Sequence, residues 1–223
     1  ITGYGVAESV IHFYKIKGES INGKKVLIQG WGNVGAAAGY YLSQAGAKVT
    51  GIIDRMGGVV NENGFTHEEV VQLFHSRTKN MFEGFEKVAD INERFWKLKA
   101  DVFIPAAASR LVTLDQVSAL ADNGLQVIAC GANVPFADPE IFFGPISRYA
   151  DHHLSVIPDF ISNCGMARVF AYLMSNPVKH DAEGIFSDVA TTIHKALDDI
   201  HQINKGKTDI TASGYEIALK QLV

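Results

Sequence analysis

The chain has 223 residues, room for one large domain or one domain with an appendage at roughly 100–200 residues per domain. Lys and Arg number 20 against 24 Asp and Glu, a net charge of -4 that excludes the strongly basic footprint of a nucleic-acid-binding domain. With 47% hydrophobic and 20% charged residues the chain folds around a core, and no apolar run reaches the roughly 18–20 residues that span a bilayer, so no membrane partner is expected.

In chain order, Val6, Val10, Ile11 and Tyr14 fall on one face of a helix running to Lys15. Asn22-Gly23 marks a turn, and Lys25–Gln29 is a nearly continuous apolar run bounded by glycine, as in a strand buried on both faces. A helix follows over Asn33–Gln44, then a strand over Ala47–Asp54, completing a βαβ unit. Thr66-His67-Glu68-Glu69 has the capping-box spacing and starts a helix to Ser76. The segment from Lys79 to Lys99 shows no regular pattern. Beyond it, Asp101–Ile104 reads as a strand ending at Pro105, Leu114–Asp122 as a helix and Leu125–Ala129 as a strand. Ser155–Ile157 is a short strand, the chain turns helical from Phe160, and Asp181–Ile203 and Thr211–Val223 are the last two helices. Alternating strands and helices imply an α/β fold: a doubly wound, mainly parallel sheet with helical C-terminal additions, treated as a single domain over residues 1–223. Ligands of such sheets bind at the carboxyl ends of the strands, here Gly30–Gly35, Asp54, Pro105–Ala108 and Gly131–Pro135.

Gly30-x-Gly32-x-x-Gly35 follows a strand and opens a helix, the context in which this spacing signals a Rossmann-type dinucleotide site. Gly30 permits the tight turn, Gly32 lets the backbone approach a pyrophosphate, and Gly35 lets helix and strand pack closely. Asp54 ends the second strand at the offset of the acid that binds an adenosine ribose. A carboxylate there repels a 2'-phosphate while the adjacent Arg55 guanidinium attracts one, so NAD is the expected cofactor and NADP stays open. The competing readings are a tight turn that binds nothing, a methyltransferase, which also pairs a glycine-rich turn with an acid, and for Arg55 a solvated surface charge.

Two cysteines, Cys130 and Cys164, are too few and too far apart for a disulfide framework or a CxxC site, which fits a reducing cytoplasm. Cys130 reads as a buried small hydrophobe, and Cys164, near a helix start, as a thiol whose pKa a helix terminus can lower. His152, His153, His194 and His201 lack a supporting ligand set and read as solvated or satisfied, so no metal site is expected.

With these motifs placed, the chain resembles the C-terminal, nucleotide-binding domain of the glutamate/leucine/phenylalanine/valine dehydrogenase family. Thr2-Gly3-Tyr4-Gly5-Val6 is similar to that family's opening of the domain, and Val26–Gly35 to its glycine-rich segment. Gly46–Val49 with Asp54, Gly58–Val60, Asn63–Phe65, Ile104–Ala107, Gly131–Pro135 and Pro158–Gly165 match further segments in order. The resemblance implies oxidative deamination of an L-amino acid to a 2-oxo acid and ammonia, with hydride passing to NAD or NADP, in an enzyme expected to be a homo-oligomer. It implies that Gly32, Asn33 and Val34 hold the pyrophosphate, Asp54 the adenosine ribose, and Ala106 and Ala107 the ribose side. Thr2, Asn133 and Asn163 would bond the nicotinamide end; as residues alone, the two asparagines read as turn formers.

Two departures from the family pattern bear on function. Its catalytic lysine and aspartate belong to an upstream domain that these residues do not match; the Gly-Lys pairs here, Gly23-Lys24 and Gly206-Lys207, lie before a strand and in a late loop. No catalytic residue is therefore assigned, and the chain, which begins at Ile1 and reads as cut from something longer, is expected to bind cofactor without turnover. The other departure is Phe170, where glutamate-specific members carry a serine near the substrate side chain. A phenyl ring cannot hydrogen-bond a carboxylate, which points away from glutamate and toward an apolar or small side chain unless Arg168 faces the cleft. The helices after Asp159 are candidates for a hinge. The alternatives to a dehydrogenase half are a non-catalytic dinucleotide-sensing module and a relative whose Gly165–Phe170 segment marks a lost or changed activity.

Overall fold

The computed structural model describes residues 1–78, 91–175 and 181–220. In chain order the described elements are α1 (Thr2–Ile16), β1 (Lys25–Gln29), α2 (Asn33–Gln44), β2 (Lys48–Asp54), β3 (Gly57–Phe65), α3 (His67–Ser76), α4 (Ile91–Phe95) and β4 (Val102–Pro105). They continue with α5 (Leu114–Asp122), β5 (Val127–Ala129), α6 (Pro145–His153), β6 (Ser155–Ile157), α7 (Asp159–Ser162), α8 (Gly165–Ser175), α9 (Ala182–Ile203) and α10 (Ile210–Lys220). The strands form one sheet in the order β3-β2-β1-β4-β5-β6, parallel throughout except that β3 runs antiparallel to β2. From β1 the chain winds outward through β2 to β3, then returns to the other side of β1 for β4, β5 and β6. The topological switch point therefore lies between β1 and β4.

The strands are apolar on both faces because both faces are covered. On one side Val26, Ile28, Val102 and Ile104 pack in a cluster with Val6, Val10, Leu42, Val189 and Ile193 from α1, α2 and α9. On the other, Leu27, Phe103 and Ile128 pack with Phe95, Val117, Leu120 and Ala150 from α4, α5 and α6. Each fully buried Leu, Ile or Phe contributes about 1.5–3 kcal/mol relative to exposure, which makes these two clusters the main stabilisation of the sheet.

Several elements differ from the sequence-based expectations. The first helix begins at Thr2, four residues before Val6, because Gly3 lets α1 approach α2: a Cβ there would overlap the Val34 carbonyl oxygen. Strand β3 has no counterpart among the strands the sequence pattern predicts; it pairs with β2 through a tight hairpin in which Asp54 faces Gly57. Helix α6 was also not anticipated, although Pro145 at its first turn is a start signal. Within the patternless Lys79–Lys99 stretch, α4 is helical and residues 79–90 lie outside the described residues, as does the 221–223 end of the expected last helix. The capping boxes at Thr66/Glu69 and Thr113/Gln116 are both formed.

The C-terminal helices fold back onto the sheet. The buried Asp151 carboxylate of α6 accepts the Thr211 and Ala212 amides at 2.8 and 2.9 Å, fixing the start of α10. Helix α9 lies against α1 through two side-chain hydrogen bonds, His12 with Asp198 at 2.8 Å and His194 with Glu8 at 3.0 Å, and the two imidazoles stack at 3.9 Å.

Candidate functional site

The site begins with backbone. Where β1 ends, Gly30 takes φ +93, a conformation costly for any residue with a Cβ, and its amide donates to the Ile53 carbonyl at 2.6 Å. A Cβ on Gly30 would stand 2.5 Å from the Ala107 Cα, so the chain leaving β1 lies directly on the chain leaving β4. A Cβ on Gly35 would overlap the Gly30 carbonyl oxygen. Helix α2 therefore starts immediately above the end of β1, with Gly32 as its N-cap and no side chain capping it. The first amides of the helix, from Asn33 onward, lack acceptors within the helix and present donors and a positive dipole end to an anion. Trp31, between the first two glycines, is fully buried, and its indole nitrogen donates to the Leu73 carbonyl at 3.0 Å, tying the loop to α3.

The strand ends beside it are stitched in series. The Ala106 amide donates to Gln29 at 2.7 Å, and the Gly131 and Ala132 amides donate to Pro105 at 3.0 and 2.8 Å. Across this edge opens a cavity of about 920 Å³, lined by Gly30, Gly32, Asn33, Val34, Asp54, Arg55, Ala106 and Ala107. Eight of the twelve expected cofactor residues thus meet in one cavity, Gly35 packs beneath it, and Thr2, Asn133 and Asn163 lie apart from it.

Asn133 and Asn163 form a second group. The Asn163 side-chain amide donates to the Asn133 side-chain oxygen at 2.7 Å and reaches the Gly131 carbonyl at 3.4 Å. The loop holding Asn133 is clamped by Asp159, whose carboxylate accepts the Val134 amide at 2.8 Å with Val134 at φ +46. Thr2 joins this side of the site, since a Cβ on Gly165, just after Asn163, would stand 2.9 Å from the Thr2 Cα. Gly131 bridges the two groups: a Cβ there would meet Ala106 at 2.9 Å and Val34 at 3.2 Å.

Asp54 has a structural duty as well. Its carboxylate accepts the Met56 amide at 2.7 Å, capping the β2–β3 hairpin, while the exposed Arg55 follows it on the rim. Sequence reasoning missed three residues here. Arg77, at the end of α3, stacks on Phe74 at 4.0 Å and donates to Asn33 at 3.4 Å, which puts a guanidinium beside the start of α2. Asn92 and Trp96 line the same cavity from and just beyond α4, a stretch whose sequence carries no periodic signal.

The Cys164 expectation is corrected. Burial is the largest influence on this thiol and raises its pKa, outweighing the lowering influence of Arg168. Cys130 is fully buried and is raised well above the ordinary thiol value by the same cause. Arg168 makes a bidentate pair with Asp188 of α9 at 3.0 and 2.9 Å, which engages its guanidinium. Phe170 is 61% exposed on α8, between Met166 at 47% and Met174 at 84%, one apolar stripe at four-residue spacing. Among the described residues no helix is long and apolar enough to cross a membrane.

The family model described as glutamate/leucine/phenylalanine/valine dehydrogenase matches residues 1–223. The chain belongs to this family. Among its relatives, the NADP(+)-dependent glutamate dehydrogenase of Pyrobaculum calidifontis is 32% identical over 74% of this chain and 38% of that protein. The NAD-specific glutamate dehydrogenase of Staphylococcus aureus strain COL is 26% identical over 99% of this chain and 52% of that protein. The chain thus spans about half the length, or less, of the curated relatives it matches. In fold it is similar to the hetero-hexameric glutamate dehydrogenase of Thermus thermophilus in its leucine-bound form. The TM-score is 0.78 at 22% identity, covering 99% of this chain and 51% of that one. It is also similar to the L-tryptophan dehydrogenase of Nostoc punctiforme, with TM-score 0.66 at 21% identity over 98% and 58% of the two chains.

Proposed function

We propose that this chain is the dinucleotide-binding domain of an amino-acid dehydrogenase, which oxidatively deaminates an L-amino acid to its 2-oxo acid and ammonia. The observation that carries the reading is the 920 Å³ cavity at the switch point, where the start of α2 and the Asp54 carboxylate face one space. A nicotinamide dinucleotide supplies hydride acceptance when bound. The residues of the chain bind and orient it: the Asn33 and Val34 amides hold the pyrophosphate, Asp54 the adenosine ribose, and Ala106 and Ala107 the wall along the ribose. Thr2, Asn133 and Asn163 hold the carboxamide end. Relatives include both NAD-specific and NADP-dependent glutamate dehydrogenases. Asp54 favours NAD, and Arg55 and Arg77 supply the charge that NADP would use.

The substrate reading follows from α8. With Arg168 engaged by Asp188 and Phe170, Met166 and Met174 exposed as one stripe, the helix offers no cation to a substrate carboxylate, which favours an apolar amino-acid side chain. The intact enzyme is proposed to be a homo-oligomer.

Titration of the chain with NADH and NADPH, followed by nicotinamide fluorescence, tests the cofactor reading: saturable binding, tighter for NADH, is expected, and binding of neither overturns it. Turnover by a longer polypeptide containing this chain, assayed with leucine and with glutamate, tests the substrate reading; a preference for glutamate contradicts it.

A further inference from the structure

A second cavity, of about 440 Å³, lies beyond the outer strands between the 133–144 loop, α7 and α10, and shares no lining residue with the switch-point cavity. Its size is within the range of small-molecule pockets. Five aromatic rings line it: Phe136, Phe142, Phe143, Phe160 and Tyr215. The Tyr215 ring sits 4.9 Å from Phe160 and 5.7 Å from Phe143 at tilted angles, so the three rings form one aromatic cluster on the wall of the cavity. Three carboxylates, Asp138, Glu140 and Asp159, line the same cavity, and among the described residues no lysine, arginine or histidine does. Arg148, on the adjoining helix α6, is taken up by the Phe143 carbonyl at 2.7 Å.

The loop that walls the cavity is strained at both ends. Val134 has φ +46 and Phe143 φ +47, a region in which a β-branched or bulky residue is an outlier. Such conformations are costly and persist where surrounding contacts over-determine them, often at ligand clamps. Here the contacts are the Asp159 carboxylate on the Val134 amide and the Arg148 guanidinium on the Phe143 carbonyl. Between these points Phe142 is 73% exposed, a large ring held at the rim with little packing of its own.

We propose that this cavity binds a small organic cation with an apolar body, of the quaternary or alkylated ammonium class. Aromatic faces carry negative quadrupole potential and attract such cations, most strongly when water is displaced. The carboxylates add long-range attraction of the same sign, and an uncharged ligand would gain only the apolar burial. Two of the carboxylates are already ordered by backbone amides, Asp138 by Ile146 and Ser147 and Asp159 by Val134 and Phe160, so their charge is fixed in place before a ligand arrives. This site adjoins the proposed nicotinamide end, with which it shares Asn133 and Asn163, and the inference goes beyond the dehydrogenase reading.

The test uses the 223-residue chain without cofactor and two probes of the same shape, choline and its neutral isostere 3,3-dimethylbutan-1-ol, read by backbone amide shifts. Saturable shifts with choline are expected in residues 134–143 and 211–218, with the isostere about tenfold weaker. Phe142→Ala and Glu140→Gln change exposed rim residues, so the fold is retained; each should weaken choline about three- to tenfold, and Glu140→Gln should leave the isostere unchanged. Equal binding of the two probes would reduce the site to a neutral apolar pocket and overturn the proposal. Shifts elsewhere, or none that saturate, would also overturn it.

Discussion

The side chains of Asn163 and Asn133, 30 residues apart in sequence, meet in a 2.7 Å hydrogen bond at the edge of the β5 strand end. The bond fixes which way each amide points, and so fixes the donors and acceptors that the proposed nicotinamide site offers to the carboxamide of a dinucleotide. Asn163→Ala removes one of the pair and frees the other. NADH should bind about five- to tenfold more weakly, while ADP-ribose, which lacks the carboxamide, should be unaffected. Parallel titrations of the two ligands check this; equal loss for both would place the pair away from the nicotinamide end.

Asp54 carries charge toward the cavity and an acceptor for the Met56 amide, and two substitutions separate these duties. Asp54→Asn keeps an oxygen for the hairpin and removes the charge. It should lower NADH affinity, raise NADPH affinity relative to NADH, and leave the melting temperature nearly unchanged. Asp54→Ala should weaken NADH similarly and also cost about 1 kcal/mol of stability through the lost cap. A denaturation curve beside each titration separates the two effects.

Gly35 is required by packing rather than by its own dihedral angles. Gly35→Ala drives a methyl group into the Gly30 carbonyl oxygen, and since both atoms belong to the backbone junction of β1 and α2, neither can swing aside. The expected cost is about 3 kcal/mol, with NADH binding lost as α2 is displaced. Gly124→Ala is the contrast: its φ is +92 but nothing lies within 4 Å, so only the backbone cost of about 1 kcal/mol applies and binding is untouched. Urea unfolding of both variants reads the difference.

The α1–α9 contact should respond to acid. Burial, then the stacked His12, lowers the His194 pKa from 6.5, against the raising pull of Glu8 and Asp198. The folded state therefore binds this proton less tightly than the unfolded chain. Its stabilising contribution is complete above the unfolded pKa and is lost as pH falls from about 6.5 through the depressed folded value. His194→Gln should flatten that part of the stability–pH curve; thermal melts from about pH 7.5 to about pH 5, on either side of about 6.5, follow it.

The glycine-rich turn was legible because its signal is local: an apolar run, three glycines at fixed spacing and a helix-forming stretch lie within twenty consecutive residues. The pairing of Asn163 with Asn133 was not, since only the approach of α7 to the β5 end brings them together, and each residue alone reads as a turn former. Strand β3 was hidden by composition. Gly57, Gly58, Asn61, Asn63 and Gly64 are poor strand formers, and the strand exists because β2 supplies a hydrogen-bonding edge and Val59 and Phe65 are buried. The helix start at Thr2 was masked in the same way by Gly3 and Gly5, which serve close packing at the expense of helix propensity. Arg77 had no motif at all; its place beside Asn33 depends on where α3 ends.

In the proposed complex one dinucleotide lies across the strand ends with its pyrophosphate at the start of α2. Mapping backbone amide shifts of the chain on addition of NADH tests it most directly. Saturating changes are expected at Gly30–Gly35, Asp54–Arg55 and Ala106–Ala107, with a further group at Asn133 and Asn163. Saturable shifts confined to other surfaces, or an unperturbed glycine-rich turn at full NADH occupancy, would contradict it.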